Sequence, residues 1–181
     1  FNFPNLNCIV VVDADFSGMG FDLRSTEKNM QLYNQLSGRA GRFSKDSIII
    51  YQTFNPKDET LKNILKNKQD EFLEEEFLLR KKKNLPPFTR LIAFIISSKN
   101  ERDGLFEAKK IKKILSSIQN VDIMGPVTSP IFKIKNNYRT RLLLRSSINL
   151  FPQKQISQAL KLFKVSKKIK LTVDVDPLNF S

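Results

Sequence analysis

Apolar residues along this chain fall either in short unbroken runs or at helical spacing, and the two patterns alternate. Ile9 to Val12 is an apolar run that stops at Asp13, the pattern of a strand buried on both faces in a parallel sheet. Between Arg24 and Leu36, Met30, Tyr33 and Leu36 recur near helical spacing, and Gly38 and Gly41 are placed to end that helix. Ile48 to Tyr51 is a second apolar strand. Strand, helix and strand make one crossover of an α/β sheet. A single crossover cannot cover both faces of its sheet, so further parts of that domain are expected outside these residues.

Residues 59–83 read as one long amphipathic helix with Leu61, Ile64, Leu65 and Phe72 at helical spacing, stopped by Pro86 and Pro87. It is expected to connect residues 1–58 to a domain over 88–181, with 59–87 as helix and linker. From residue 88 the pattern predicts a strand over Leu91–Ser97, a helix over Glu101–Ile118 and a strand over Val121–Met124 ended by Gly125 and Pro126. Two extended stretches follow, Ile131–Lys135 and Tyr138–Arg145, around a turn at Asn136 and Asn137. A helix from Pro152 to about Phe163 and a strand over Ile169–Val175 close the chain. The order approximates β-α-β-β-α-β with one extra or subdivided strand, which predicts an α+β, ferredoxin-like domain.

Charge separates the two regions further. The 181 residues carry 31 basic and 18 acidic side chains, net +13. Residues 1–60 hold 6 basic and 7 acidic, whereas residues 61–181 hold 25 and 11. A clustered excess of this size favours polyanions, because each cation that neutralises a phosphate releases condensed counterions. Codon usage rich in A and T also enriches Lys, Asn and Ile, so charge alone leaves both explanations open. Histidine is absent and Cys8 is the single cysteine, which leaves no zinc site, Cys-His pair or disulfide framework. The apolar runs are too short for a transmembrane helix, and no signal-peptide pattern opens the chain. A cytoplasmic piece of something longer, beginning at Phe1 rather than Met, is the expectation.

The sharpest motif is Gln35-Leu36-Ser37-Gly38-Arg39-Ala40-Gly41-Arg42, which fits Gln-x-x-Gly-Arg-x-Gly-Arg, the last motif of superfamily-two helicases. Two guanidiniums on a glycine-loosened turn can reach a γ-phosphate held by a neighbouring lobe and stabilise the charge on the transferring group. Arg42 is the candidate arginine finger, with Arg39 beside it, Gln35 orienting nucleotide or water, and Gly38 and Gly41 beside the nucleotide. A surface arginine turn capping a helix is the plainer alternative.

With that motif in place, the run from Phe1 to Arg42 resembles the end of the second helicase lobe of the primosomal replication-restart helicases, the primosomal protein N′ or PriA family. The resemblance continues through Asn84-Leu-Pro-Pro-Phe-Thr-Arg90, Met124-Gly-Pro-Val127, Tyr138-Arg-Thr-Arg-Leu-Leu-Leu-Arg145 and Val173-Asp-Val-Asp-Pro177. It implies that residues 1–58 are an α/β remnant of a RecA-like lobe, within an ATP-hydrolysing helicase that unwinds DNA 3′ to 5′ at stalled forks. Implied partners are forked or single-stranded DNA, other primosome components and single-strand-binding proteins, with ATP and Mg as cofactors. The phosphate loop and the Asp-Glu-x-His box do not occur here, and neither does the cysteine module that would hold zinc. The chain alone is therefore expected to be inactive, and a noncatalytic basic domain binding DNA or a partner is the rival reading.

Three further groups are candidates. Tyr138, Arg139 and Arg141 interleave an aromatic with guanidiniums on a strand, an arrangement suited to single-strand stacking and backbone contact. Lys109, Lys110, Lys112 and Lys113, and again Lys161, Lys164, Lys167 and Lys168, form basic helix faces suited to phosphates or anionic lipid, or to plain solvation. Asp13 and Asp15 at a strand end could hold magnesium, but no third ligand is visible and a polar strand end accounts for them.

Overall fold

A computed structural model describes residues 6–15, 24–40, 47–57, 59–66, 69–163 and 165–177. The chain divides into two compact units, residues 1–77 and 78–181, and the division falls inside a helix.

In the first unit β1 (Cys8–Val11) and β2 (Ile48–Tyr51) pair in parallel, with Cys8 opposite Ile48 and Val11 opposite Tyr51, and α1 (Ser25–Ala40) lies between them in sequence. One face of this pair packs: Val11 and Tyr51 meet the cluster of Met30 and Tyr33 from α1, Ala14, Leu61 from α2 (Glu59–Leu65) and Phe72 from α3 (Gln69–Lys82). The Tyr33 hydroxyl donates to the Ala14 carbonyl at 3.1 Å, and its ring meets Tyr51 edge-on at 5.1 Å between centroids. The other face carries Val10, Ile48 and Ile50, which are 56%, 60% and 50% exposed. Burial on both faces, expected from the unbroken apolar runs, is thus met on one.

Two helix boundaries differ from the periodicity. α1 runs through Gly38 to Ala40 instead of ending there, at a cost of about 1 kcal/mol relative to alanine at that position. The predicted helix over 59–83 is two helices, α2 ending at Leu65 and α3 beginning at Gln69. Leu65 therefore leaves the stripe that holds Leu61 and Phe72 and is exposed. α3 stops at Lys82, ahead of the proline pair.

The second unit runs β3 (Thr89–Ser98), α4 (Glu101–Leu115), β4 (Val121–Ile134), β5 (Asn137–Ser147), α5 (Gln153–Leu162), β6 (Ile169–Val175). The sheet order is β4-β5-β3-β6 with every neighbour antiparallel. Period-two alternation sends Ile92, Phe94 and Ile96 of β3 and Leu142 and Leu144 of β5 to one face. There they meet Ala108, Ile111 and Leu115 of α4, spaced three and four apart, and Ile156 of α5. Phe94, Ile111, Leu115 and Leu142 are completely buried, worth about 1.5–3 kcal/mol each in water-removed area.

The extra strand of the sequence pattern is absorbed into β4. Gly125 and Pro126 interrupt pairing between Met124 and Val127 without ending the strand. β4 lies at the sheet edge, so the N–H that proline lacks costs no ladder bond. Gly125 sits at φ +94, and an added Cβ would come within 2.8 Å of the Arg141 carbonyl oxygen. The hairpin turn is Lys135–Asn136, at φ 47 and 61, one residue earlier than the sequence signal, and Asn137 already pairs with Ile134. Positive φ at both turn residues matches the twist of the strands they join.

Candidate nucleic-acid interface

The helicase motif falls at the end of α1. Gln35 is exposed on that helix, Gly38 lies within it, and Arg39 is in its last turn. Gly41 and Arg42 lie outside the described residues. Asp15, the magnesium candidate, is engaged structurally: its carboxylate accepts from the Thr53 hydroxyl at 2.6 Å and from the Phe54 amide at 2.5 Å. The Thr53 hydroxyl, then the Phe54 amide, hold the Asp15 carboxyl below its ordinary range. Asp13 occupies a left-handed conformation at φ 57 and is exposed. No group of three or more carboxylate or sulfur ligands occurs among the described residues.

In the second unit the structure separates Tyr138 from the two arginines it was grouped with. Thr140, Leu142 and Leu144 turn toward the helices, so Tyr138 shares their face, at the end of the strand. Arg139 and Arg141 lie on the opposite face, paired across the sheet with Ser97 and Ile95. Burial, and then the charge of Arg139, lower the Arg141 pKa from its ordinary value. It remains charged, and an anion alongside would relieve the repulsion between the two.

The α4 lysines divide by role. Lys110 donates to Glu107 at 2.8 Å and lies 4.3 Å over the Phe106 ring, while Lys112 donates to the Gly125 carbonyl across the β4 irregularity. Both make contacts within the domain. Lys109 and Lys113 are exposed. Lys167 and Lys168 are not on a helix face, because α5 ends at Leu162; they lie in the turn before β6.

That turn forms one wall of a cleft at the end of the sheet. A cavity of about 520 Å³ is lined by Lys99, Lys167, Lys168 and Lys170 together with Asn100 and Asn137. A second cavity of about 360 Å³ shares Lys99 and Asn100 with it and extends to Arg102 and Tyr138. The Ser98 hydroxyl ties the walls together, accepting from the Asn100 amide at 3.2 Å and reaching the Lys168 carbonyl at 3.5 Å. At the far side, Tyr138 meets Phe132 at 5.4 Å between ring centroids, and Lys133 lies 4.8 Å from the Tyr138 centroid. Asp103 tempers the charge, 3.9 Å from Lys168. Reading residues in order misses this grouping, since Ser98 and Lys168 are 70 positions apart. Lysine density over 167–170, next to a strand start, is its one local sign.

Charge follows the division into units: residues 1–77 hold 9 basic and 12 acidic side chains, net −3, and residues 78–181 hold 22 and 6, net +16. The class defined here is a strongly basic domain, with helices on one face of an antiparallel sheet, preceded in the chain by a parallel strand pair.

The family model for the primosomal protein N C-terminal domain matches residues 81–178, and the chain belongs to that family. It is similar to the replication restart protein PriA of Rickettsia felis, 32% identical over 180 residues that make up 99% of this chain and 28% of the relative. The PriA proteins of Borreliella burgdorferi and Chlamydia trachomatis are 34% and 35% identical, over 99% and 98% of this chain and 27% and 24% of the relatives. The chain thus spans about a quarter of the length of the curated relatives it matches. No helix among the described residues is long and apolar enough to cross a membrane.

Proposed function

We propose that this chain is the C-terminal part of an ATP-dependent DNA helicase that moves 3′ to 5′ and acts in replication restart at stalled forks. In this reading residues 78–181 form a ferredoxin-like domain that holds DNA through its phosphates. The first unit is the closing crossover of a RecA-like lobe, and Arg42, with Arg39 and Gln35, addresses the γ-phosphate of an ATP bound with Mg by other parts of the protein. Single-stranded or forked DNA and other primosome components are the partners, in a cytoplasmic setting. The observation that carries the reading is the segregation of charge: the net +16 lies in the unit that contains the family domain, while the unit before it is slightly acidic. This separation supports a reading in which phosphate affinity lies in one unit and nucleotide chemistry in the other.

Fluorescence anisotropy of a labelled oligonucleotide tests the reading. Binding is expected at low salt, with the logarithm of the association constant falling linearly against the logarithm of salt, by about 0.7–0.9 per phosphate neutralised. Little sequence preference is expected, because the sequence carries no base-reading motif and affinity then comes mainly from counterion release. Absence of binding at low salt would remove the nucleic-acid role.

A further inference from the structure

We infer that the end of the second unit's sheet is a single-strand site, which seats a backbone phosphate in the lysine-lined cavity and stacks the adjoining base on the Tyr138–Phe132 pair. The inference rests on the nucleic-acid reading above and assigns it to residues other than Arg139 and Arg141. Two kinds of group needed for single-strand binding meet here and share a boundary. Lys99, Lys167, Lys168 and Lys170 supply four cations around one cavity, against the single carboxylate of Asp103. The neighbouring cavity shares Lys99 and Asn100 with it and is lined further by Glu101, Arg102 and Tyr138. Phe132 is 43% exposed and meets Tyr138 ring to ring.

Phosphate and base alternate along a strand, so a cationic cavity adjoining an aromatic one matches that alternation. A duplex keeps its bases stacked inside and offers no ring to Tyr138. The contact of Lys133 with the Tyr138 ring is an exposed cation–π contact and therefore weak, so an incoming base can displace it. The hairpin that carries both rings is held by its two-residue turn, and the cleft walls by Ser98. The platform is therefore formed before the strand arrives.

The phosphate chemistry is common to inorganic phosphate and to a strand, and the test separates them. The chain contains no tryptophan, so Tyr138→Trp introduces a single indole at the proposed stacking position. In the 181-residue chain, oligo(dT) should quench that indole. An abasic strand of equal phosphate number should bind without quenching, and inorganic phosphate should leave the indole unchanged. The triple variant Lys99→Ala, Lys168→Ala, Lys170→Ala should lose about tenfold or more in oligo(dT) affinity at fixed low salt, and Lys109→Ala with Lys113→Ala less than about threefold. Each variant should keep the parent's far-ultraviolet circular dichroism spectrum, which excludes misfolding as a cause of loss. Oligo(dT) bound by a silent indole, or unchanged affinity in the lysine triple variant, places the strand elsewhere while leaving nucleic-acid binding intact. Quenching by inorganic phosphate alone would make this an anion pocket and overturn the strand assignment. No binding of any strand by the parent chain would instead remove the nucleic-acid reading itself.

Discussion

The two units bury their apolar residues to different extents. In the second, helices cover one face of a four-stranded antiparallel sheet, and Phe94, Ile96, Ile111 and Leu142 are fully buried. In the first, a two-stranded parallel pair packs on one face, while Val10, Ile48 and Ile50 stay half exposed or more on the other. The chemical signals run in the opposite direction. The less covered unit carries the sharp local motif around Arg42, and the well-packed unit carries diffuse positive charge. A motif that reaches a group bound elsewhere needs few neighbours of its own, whereas a phosphate cleft assembled from distant strands needs a rigid sheet to hold it.

The largest effect expected separates the chemistry of the two units. In the full-length helicase proposed above, Arg42→Ala should lower ATP turnover by roughly 10³-fold while leaving DNA affinity nearly unchanged. Near-normal turnover would put the arginine finger elsewhere, with Arg39 next. A parallel loss of DNA affinity would show that the units do not divide the work.

Next in size is the core of the second unit. Phe94→Ala removes a completely buried ring and should cost about 3–5 kcal/mol, read as a lowered urea midpoint of the sheet signal. Gly125→Ala should also destabilise this unit, since the new methyl would meet the Arg141 carbonyl at positive φ. A neutral Gly125→Ala would mean that β4 relaxes around its irregularity.

Amide exchange compares the units directly. Residues 9–11 should exchange at least about tenfold faster than residues 92–96, because their pair has one uncovered face and two strands. Equal protection would show that the two units are equally stable.

The smallest effect concerns Asp15. The Thr53 hydroxyl and the Phe54 amide stabilise its ionised form, so its pKa is lowered in the folded state. The stabilisation is present above the unfolded value of about 3.9 and is lost as pH falls through the lower folded value. The protection factor near Phe54, taken relative to the intrinsic exchange rate at each pH, should therefore fall on acidification below about pH 4 in the parent chain, and Asp15→Asn should flatten that dependence. An unchanged profile in the variant would show that the carboxylate does not hold this loop.

Most strands and helices were legible because their periods are strong, as in β3, where Ile92, Phe94 and Ile96 alternate, and in α4, where Ala108, Ile111 and Leu115 share a face. Misreadings arose where a local signal had a tertiary answer. Gly125-Pro126 reads as a strand end, yet an edge strand tolerates both and resumes at Val127. Asn136-Asn137 reads as the turn, yet Lys135 takes the first left-handed position and Asn137 joins β5. Of the site, the types of residue were legible and their grouping was not. Tyr138, Arg139 and Arg141 are neighbours in sequence, but a strand turns Tyr138 away from both arginines. Tyr138 shares a cavity instead with Lys99 and Arg102, contributed by a β-α turn and a helix start far earlier in the chain.

Hydrogen exchange of the chain with and without a single-stranded oligonucleotide, at low salt, tests most directly the claim that the second unit holds nucleic acid at its sheet end. New protection is expected at residues 97–102, 137–139 and 167–170, and none at 8–11 or 48–51. Protection confined to the first unit, or to residues 109–113 on α4, would contradict it.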